Sequence, residues 1–136
     1  MMIKHLDELV RQAKIAQTRA YAPYSKYKVG AALMMDDNTY VLGANIENAS
    51  YPLSNCAERS ALFGAYSKGY RKDNILAIAI VSDSLNTSPC GACRQVMLEL
   101  MKEDAPVFLV NGKNEVREFT VKDLLPYGFT AEELDQ

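Results

Sequence analysis

The order of helical and strand-like segments predicts an α/β fold: a three-layer α/β/α sandwich around a central mixed five-stranded sheet. Three observations carry that expectation. Apolar residues recur at helical spacing near the N-terminus and in two later segments. Five shorter segments read as strands, one of them apolar throughout. Strand and helix alternate through the middle of the chain.

In chain order, Leu6, Leu9, Val10, Ala13, Ala16 and Ala20 recur at intervals of three and four, an amphipathic first helix that ends before Pro23. Lys28 to Met35 and Tyr40 to Glu47 read as two strands, and Asp36-Asp37-Asn38 between them is turn material, so a hairpin is expected. Residues 55–68 read as a second helix stopped near Gly69. Ile75 to Val81 has the length and composition of a central strand buried on both faces. Pro89 to Glu103 reads as a third helix with Val96, Met97, Leu100 and Met101 on one side. Val107 to Val110 and Val116 to Thr120 are further short strands, followed by a short helix near Val121 to Leu125. The right-handed crossover rule places the second and third helices on one face of the sheet, with their N-termini side by side.

The chain has 136 residues, 49% hydrophobic and 24% charged, as expected of one globular domain spanning 1–136. A net charge of -2 and a pI near 5.4 speak against nucleic-acid binding, which draws on a basic face. The longest apolar run is too short to span a bilayer, and Met1 to Asp7 contains no apolar leader, so a cytoplasmic protein away from membranes is expected. Three cysteines are an odd number, and a reducing compartment disfavours disulfides, which leaves metal binding or catalysis for clustered thiols.

Those cysteines fall in Ser54-Asn55-Cys56-Ala57-Glu58-Arg59 and Ser88-Pro89-Cys90-Gly91-Ala92-Cys93, at the starts of the second and third helices. Ser88 suits an N-cap and Pro89 the first helical position, which would put Cys90 in the first turn with Cys93 on the same face. Asn55 suits the other cap, with Cys56 opening the first turn. Three thiolates converging from two helix starts suit Zn²⁺, and a site with no fourth cysteine keeps a position open for water, the catalytic arrangement. Buried free cysteines and a redox pair at Cys90 and Cys93 are the other readings. Glu58 fits either a capping box closed on Asn55 or a carboxylate reaching the metal-bound water. Arg59 fits either a solvated helix position or a charge balance: three thiolates and Zn²⁺ sum to -1, and a guanidinium donating to sulfur offsets that excess.

Cys56-Ala57-Glu58-Arg59 with Pro89-Cys90-Gly91-Ala92-Cys93 resembles the zinc nucleoside and nucleobase deaminases. Pro23 to Ala32, Gly43 to Tyr51, Cys90 to Val96 and Leu124-Leu125-Pro126 extend the resemblance to the small homotetrameric cytidine deaminases over nearly the whole chain. Dimeric cytidine deaminases and transfer-RNA adenosine deaminases usually carry histidine where Cys56 stands. The resemblance implies a cytidine deaminase-like fold. It also implies one zinc per subunit on Cys56, Cys90 and Cys93, and Glu58 as proton shuttle. Asn45 and Glu47 would bond the ribose 3′-hydroxyl, and backbone near Ala57 would hold the pyrimidine. Tyr27 stands where the family usually has a phenylalanine on the base, keeping the ring and adding a hydroxyl. Phe129 and Tyr51 would reach a neighbouring subunit's site. The implied reaction is hydrolysis of cytidine and deoxycytidine to uridine and deoxyuridine with release of ammonia, in pyrimidine salvage. Another aminopyrimidine nucleoside, as in blasticidin-S deaminase, is the nearest alternative. An editing deaminase acting on nucleic acid and a non-enzymatic zinc module lie further off.

Overall fold

The computed structural model describes residues 5–134. Met1 to Lys4 of the expected leaderless N-terminus lie outside that range. Helix α1 spans Leu6–Gln17, strand β1 Val29–Met35, β2 Tyr40–Ala44, helix α2 Ala57–Ser67, β3 Ile75–Ser82, α3 Gly91–Leu100, β4 Pro106–Val110, β5 Val116–Thr120 and α4 Val121–Leu124. The five strands form one sheet in the order β2-β1-β3-β4-β5. Strand β1 runs antiparallel to both β2 and β3, β3 and β4 are parallel, and β5 closes the edge antiparallel to β4. The sheet is therefore mixed, as expected.

Strand side chains alternate between faces, and the core divides accordingly. Ala31, Leu33, Ile78, Ile80, Val107 and Leu109 pack beneath α2, α3 and α4. Their neighbours Ala32, Met34, Ala77, Ala79, Val81, Phe108 and Val110 pack beneath α1 with Leu9 and Ala13. This produces three layers. Because β1 separates β2 from β3 and opposes both, β2, β3 and β4 all run in one direction. The crossovers through α2 and α3 step the same way across the sheet, so one handedness places both helices on one face. Both helices then begin at the sheet edge where β2 and β3 end. Gly43 sets the closest approach: a Cβ there would lie 2.4 Å from Ala61 N and 2.5 Å from Ala57 O, so only a glycine lets α2 rest directly on β2.

Several boundaries differ from the sequence reading. Helix α1 stops at Gln17, leaving Ala20 outside, because the Tyr21 N–H donates to Asn45 O (2.9 Å) and ties this segment to the sheet edge. Helix α3 stops at Leu100 rather than Glu103, since Met101 is extended (φ -124°, ψ 162°). Strand β2 stops at Ala44 rather than Glu47, because the Asn45 side chain takes over the pairing: Oδ1 accepts from Val29 N–H (2.9 Å) and Nδ2 donates to Tyr27 O (2.7 Å). Among the described residues, no helix is long and apolar enough to cross a membrane.

Candidate active site

Both cysteine-bearing helices begin differently from the expectation. Helix α2 starts at Ala57, so Cys56 (φ -79°, ψ 157°) is the N-cap and Asn55 lies one residue further out, its Nδ2 donating to Ser60 Oγ. Helix α3 starts at Gly91, so Cys90 is the N-cap in place of Ser88, and its sulfur accepts from the Cys93 N–H at 3.4 Å. A thiolate sulfur is a good acceptor at a helix start, where free N–H groups and the helix dipole favour negative charge. The shift also removes the capping-box reading of Glu58. That device needs the glutamate three residues after the cap, and Glu58 lies two after Cys56.

The three sulfurs lie within 4.8 Å of one another, with Cys56 to Cys90 at 3.9 Å and Cys90 to Cys93 at 3.3 Å. Thiolates around a tetrahedral zinc at about 2.3 Å each stand about 3.8 Å apart, so this triangle fits that ion with little adjustment. Arg59 supports the fit. Its Nη2 donates to Cys56 Sγ at 3.2 Å, and its buried Nε has no partner among the described residues. A partly buried cation answered by sulfur calls for negative sulfur. A hydrogen bond from the Cys93 thiol, with help from Arg59, brings the Cys56 thiol down to about 5. The same bond, together with burial, pushes Cys93 up.

Glu58 is 4% exposed, and burial pushes its carboxyl above the ordinary value. It faces a cavity of about 160 Å³ lined by Tyr27, Val29, Asn45, Cys56, Ala57, Glu58, Ile80, Thr87, Ser88 and Cys90. Of the residues singled out from sequence, Tyr27, Asn45, Ala57, Glu58, Cys56 and Cys90 thus meet at one hollow, with Cys93 completing the thiol triangle and Arg59 bonded to it. Glu47, Tyr51 and Phe129 are not among the lining residues. Glu47 instead holds the loop that carries Tyr27. Its Oε1 accepts from the Tyr24 and Ser25 N–H groups (both 3.1 Å), and its Oε2 from the Ser25 hydroxyl. Tyr51 and Phe129 are 70% and 54% exposed.

Sequence reasoning missed Val29, Ile80, Thr87 and Ser88 as lining residues. Ser88 adjoins the Pro89-Cys90 motif, a signal that places it near the site, although its residue type suggests a cap. Thr87 had no such signal. It is buried, shares a 2.6 Å bond with Ser82 Oγ and donates to Val110 O (2.9 Å), 23 residues further along the chain.

A mixed sheet with two helix starts presenting three thiols, a buried carboxylate and one cavity defines a metal-dependent hydrolase of the deaminase type. The sequence matches the cytidine and deoxycytidylate deaminase zinc-binding region over residues 3–109. The chain belongs to that family. It is 53% identical over 128 residues to the cytidine deaminase of Halalkalibacterium halodurans, covering 93% of this chain and 96% of that one. It is 47% identical over 130 residues to that of Sporosarcina psychrophila, covering 95% and 94%. Among solved structures, the cytidine deaminase of Burkholderia pseudomallei superposes with a TM-score of 0.88 at 51% identity, over 90% of this chain and 98% of that one. The Mycobacterium tuberculosis enzyme gives 0.76 at 37%, over 91% and 96%.

Proposed function

We propose that residues 1–136 act as one catalytic domain that deaminates cytidine and deoxycytidine, releasing ammonia and leaving uridine or deoxyuridine, in pyrimidine salvage. The observation that carries this reading is the placement of Glu58. A buried carboxyl two residues beyond one of three converging thiols opens on the same cavity as Tyr27 and Asn45. Cys56, Cys90 and Cys93 would hold one Zn²⁺, which when bound supplies the Lewis acidity that makes water a nucleophile near neutral pH. Glu58 accepts a proton from the attacking water and delivers it to the ring nitrogen beside carbon 4. It then moves the proton of the added hydroxyl to the amino group, and the carbon–nitrogen bond breaks with loss of ammonia. One carboxyl acts first as base and then as acid, a task suited to a group whose burial raises its proton affinity.

Tyr27 offers its ring to the base, and backbone near Ala57 holds the pyrimidine. Asn45 and Glu47 serve the ribose 3′-hydroxyl, Glu47 by releasing part of its hold on Ser25. Tyr51 and Phe129, exposed in the single chain, complete sites across the interfaces of a homotetramer. A cavity of about 160 Å³ and a net charge of -2 favour a free nucleoside over a nucleic acid. Three free thiols suit a cytoplasmic, reducing compartment.

The test joins metal analysis of the purified chain with the ultraviolet absorbance change on adding cytidine, deoxycytidine or blasticidin S. One zinc per chain and turnover of the first two are expected. A zinc-loaded chain that leaves cytidine unchanged would sink the proposal, and turnover of blasticidin S alone would transfer it to that substrate.

A further inference from the structure

Arg94 has no part in the chemistry just described, yet its guanidinium is bonded in three directions. Nε donates to Pro89 O at 2.9 Å and Nη2 to Ser88 Oγ at 2.7 Å, while Nη1 donates to Leu124 O at 2.9 Å. An arginine in the first turns of a helix ordinarily extends into solvent. Here the side chain folds back past the start of α3 and grips the two residues before Cys90. Ser88 is itself a wall of the cavity. Leu124 ends α4 and opens the C-terminal segment. Gln95, the next residue of α3, donates from Nε2 to Phe129 O at 2.8 Å. The segment between these two anchors turns back through Tyr127, which holds a left-handed φ of 57°. Arg94 is thus the joint at which the cavity wall, the strand-to-helix loop ending at Cys90 and the C-terminal segment are fixed to one another.

We infer that Arg94 is a positioning residue for substrate binding, clamping the Ser88–Pro89 wall of the cavity to the C-terminal segment at Leu124. The inference rests on the nucleoside-deaminase reading of the site. A planar guanidinium fixes three acceptors in set directions, whereas a lysine ammonium meets them as a single mobile charge, so lysine cannot replace it. The Cys90 sulfur has its own anchor in the Cys93 N–H, so releasing the clamp leaves the metal site closed and loosens the wall. The effect falls on nucleoside affinity rather than on the proton transfers at Glu58.

The test compares wild type, Arg94→Lys, Ser88→Ala and the double variant. The readings are zinc content, kcat and KM for cytidine, and the dissociation constant of uridine by calorimetry. With one zinc per chain retained, Arg94→Lys is expected to raise both KM and the uridine dissociation constant by about tenfold, the scale of one lost charge-assisted hydrogen bond. kcat should stay close to wild type. Ser88→Ala is expected to raise the same two constants, and the double variant to be no worse than Arg94→Lys alone, since both break one clamp. Unchanged affinity in Arg94→Lys, a fall confined to kcat, or fully additive effects would overturn the inference. Should Arg94→Lys fail to fold, Arg94→Gln carries the same readings; loss of fold or zinc in both would make Arg94 a structural residue only, which also overturns it. A wild-type chain inactive on cytidine would instead count against the deaminase reading, which separates the two failures.

Discussion

Glu58 occupies the second position of α2, where its carboxyl can neither close a capping box nor reach solvent freely. What remains for it is the cavity and the thiol triangle. Replacement of Glu58 by alanine is expected to leave the fold and the bound zinc intact and to lower kcat by about 10²–10⁴-fold, the usual contribution of a positioned acid–base group. Measured against metal content, a zinc-loaded Glu58→Ala chain with wild-type turnover would remove Glu58 from the reaction. Glu47 makes a different prediction. Its carboxyl lies below the ordinary value, first through the Ser25 hydroxyl and then through the Ser25 and Tyr24 N–H groups and the Lys26 charge. A depressed value in the folded state means that folding favours the charged form. That contribution is present above the ordinary carboxylate value, near pH 4.3, and is lost as pH falls through the depressed one. The Tm advantage of wild type over Glu47→Gln is therefore expected to shrink as pH drops below about 4.3; an advantage constant with pH would show that the loop does not depend on the charge.

At the scale of single elements, the helix starts carry the site and the sequence misread them by one residue or two. Asn55 and Ser88 are better caps by composition, yet Cys56 and Cys90 take the cap positions. Local preference for Ser or Asn at a cap is worth about 1 kcal/mol, and it yields where a sulfur is needed at the helix mouth. The strand β2 misreading has the same origin: Asn45 looks like a strand residue, but its side chain supplies the bonds to Tyr27 and Val29 that a longer strand would have made. The contact of α2 with β2 gives an element-level test. Gly43→Ala would drive a Cβ into the α2 backbone at Ala57 and Ala61 and is expected to cost about 1–3 kcal/mol, by overpacking, and to weaken zinc retention. Gly64→Ala, whose nearest new neighbour is Val41 Cγ1 at 4.0 Å, is the control and should be neutral or stabilising. Denaturant midpoints and zinc release to a chelator read both; a tolerated Gly43→Ala would show that α2 need not sit so close.

For the whole molecule, the proposed homotetramer gives the exposed Tyr51 and Phe129 a role in the site of another copy of the chain. Mixed assemblies of Glu58→Ala with Phe129→Ala are expected to regain activity that neither variant shows alone, because some of their sites combine an intact Glu58 with an intact Phe129. No recovery in co-purified hybrids would place Phe129 outside the site. Element types, the three layers, the thiols and the acid beside them were legible in the sequence, because periodicity, turn residues and ligand spacing are local properties. Tertiary folding set β2, β3 and β4 running in one direction, so that two helix starts meet at one edge. It also turned Glu47 toward Ser25, brought Thr87 and Ser88 into the cavity and folded Arg94 back onto Leu124. The Arg94 bonds alone join residues 6 and 30 positions apart, to Ser88 and to Leu124. No local pattern encodes such pairings, since they arise only once the sheet has fixed where each loop ends.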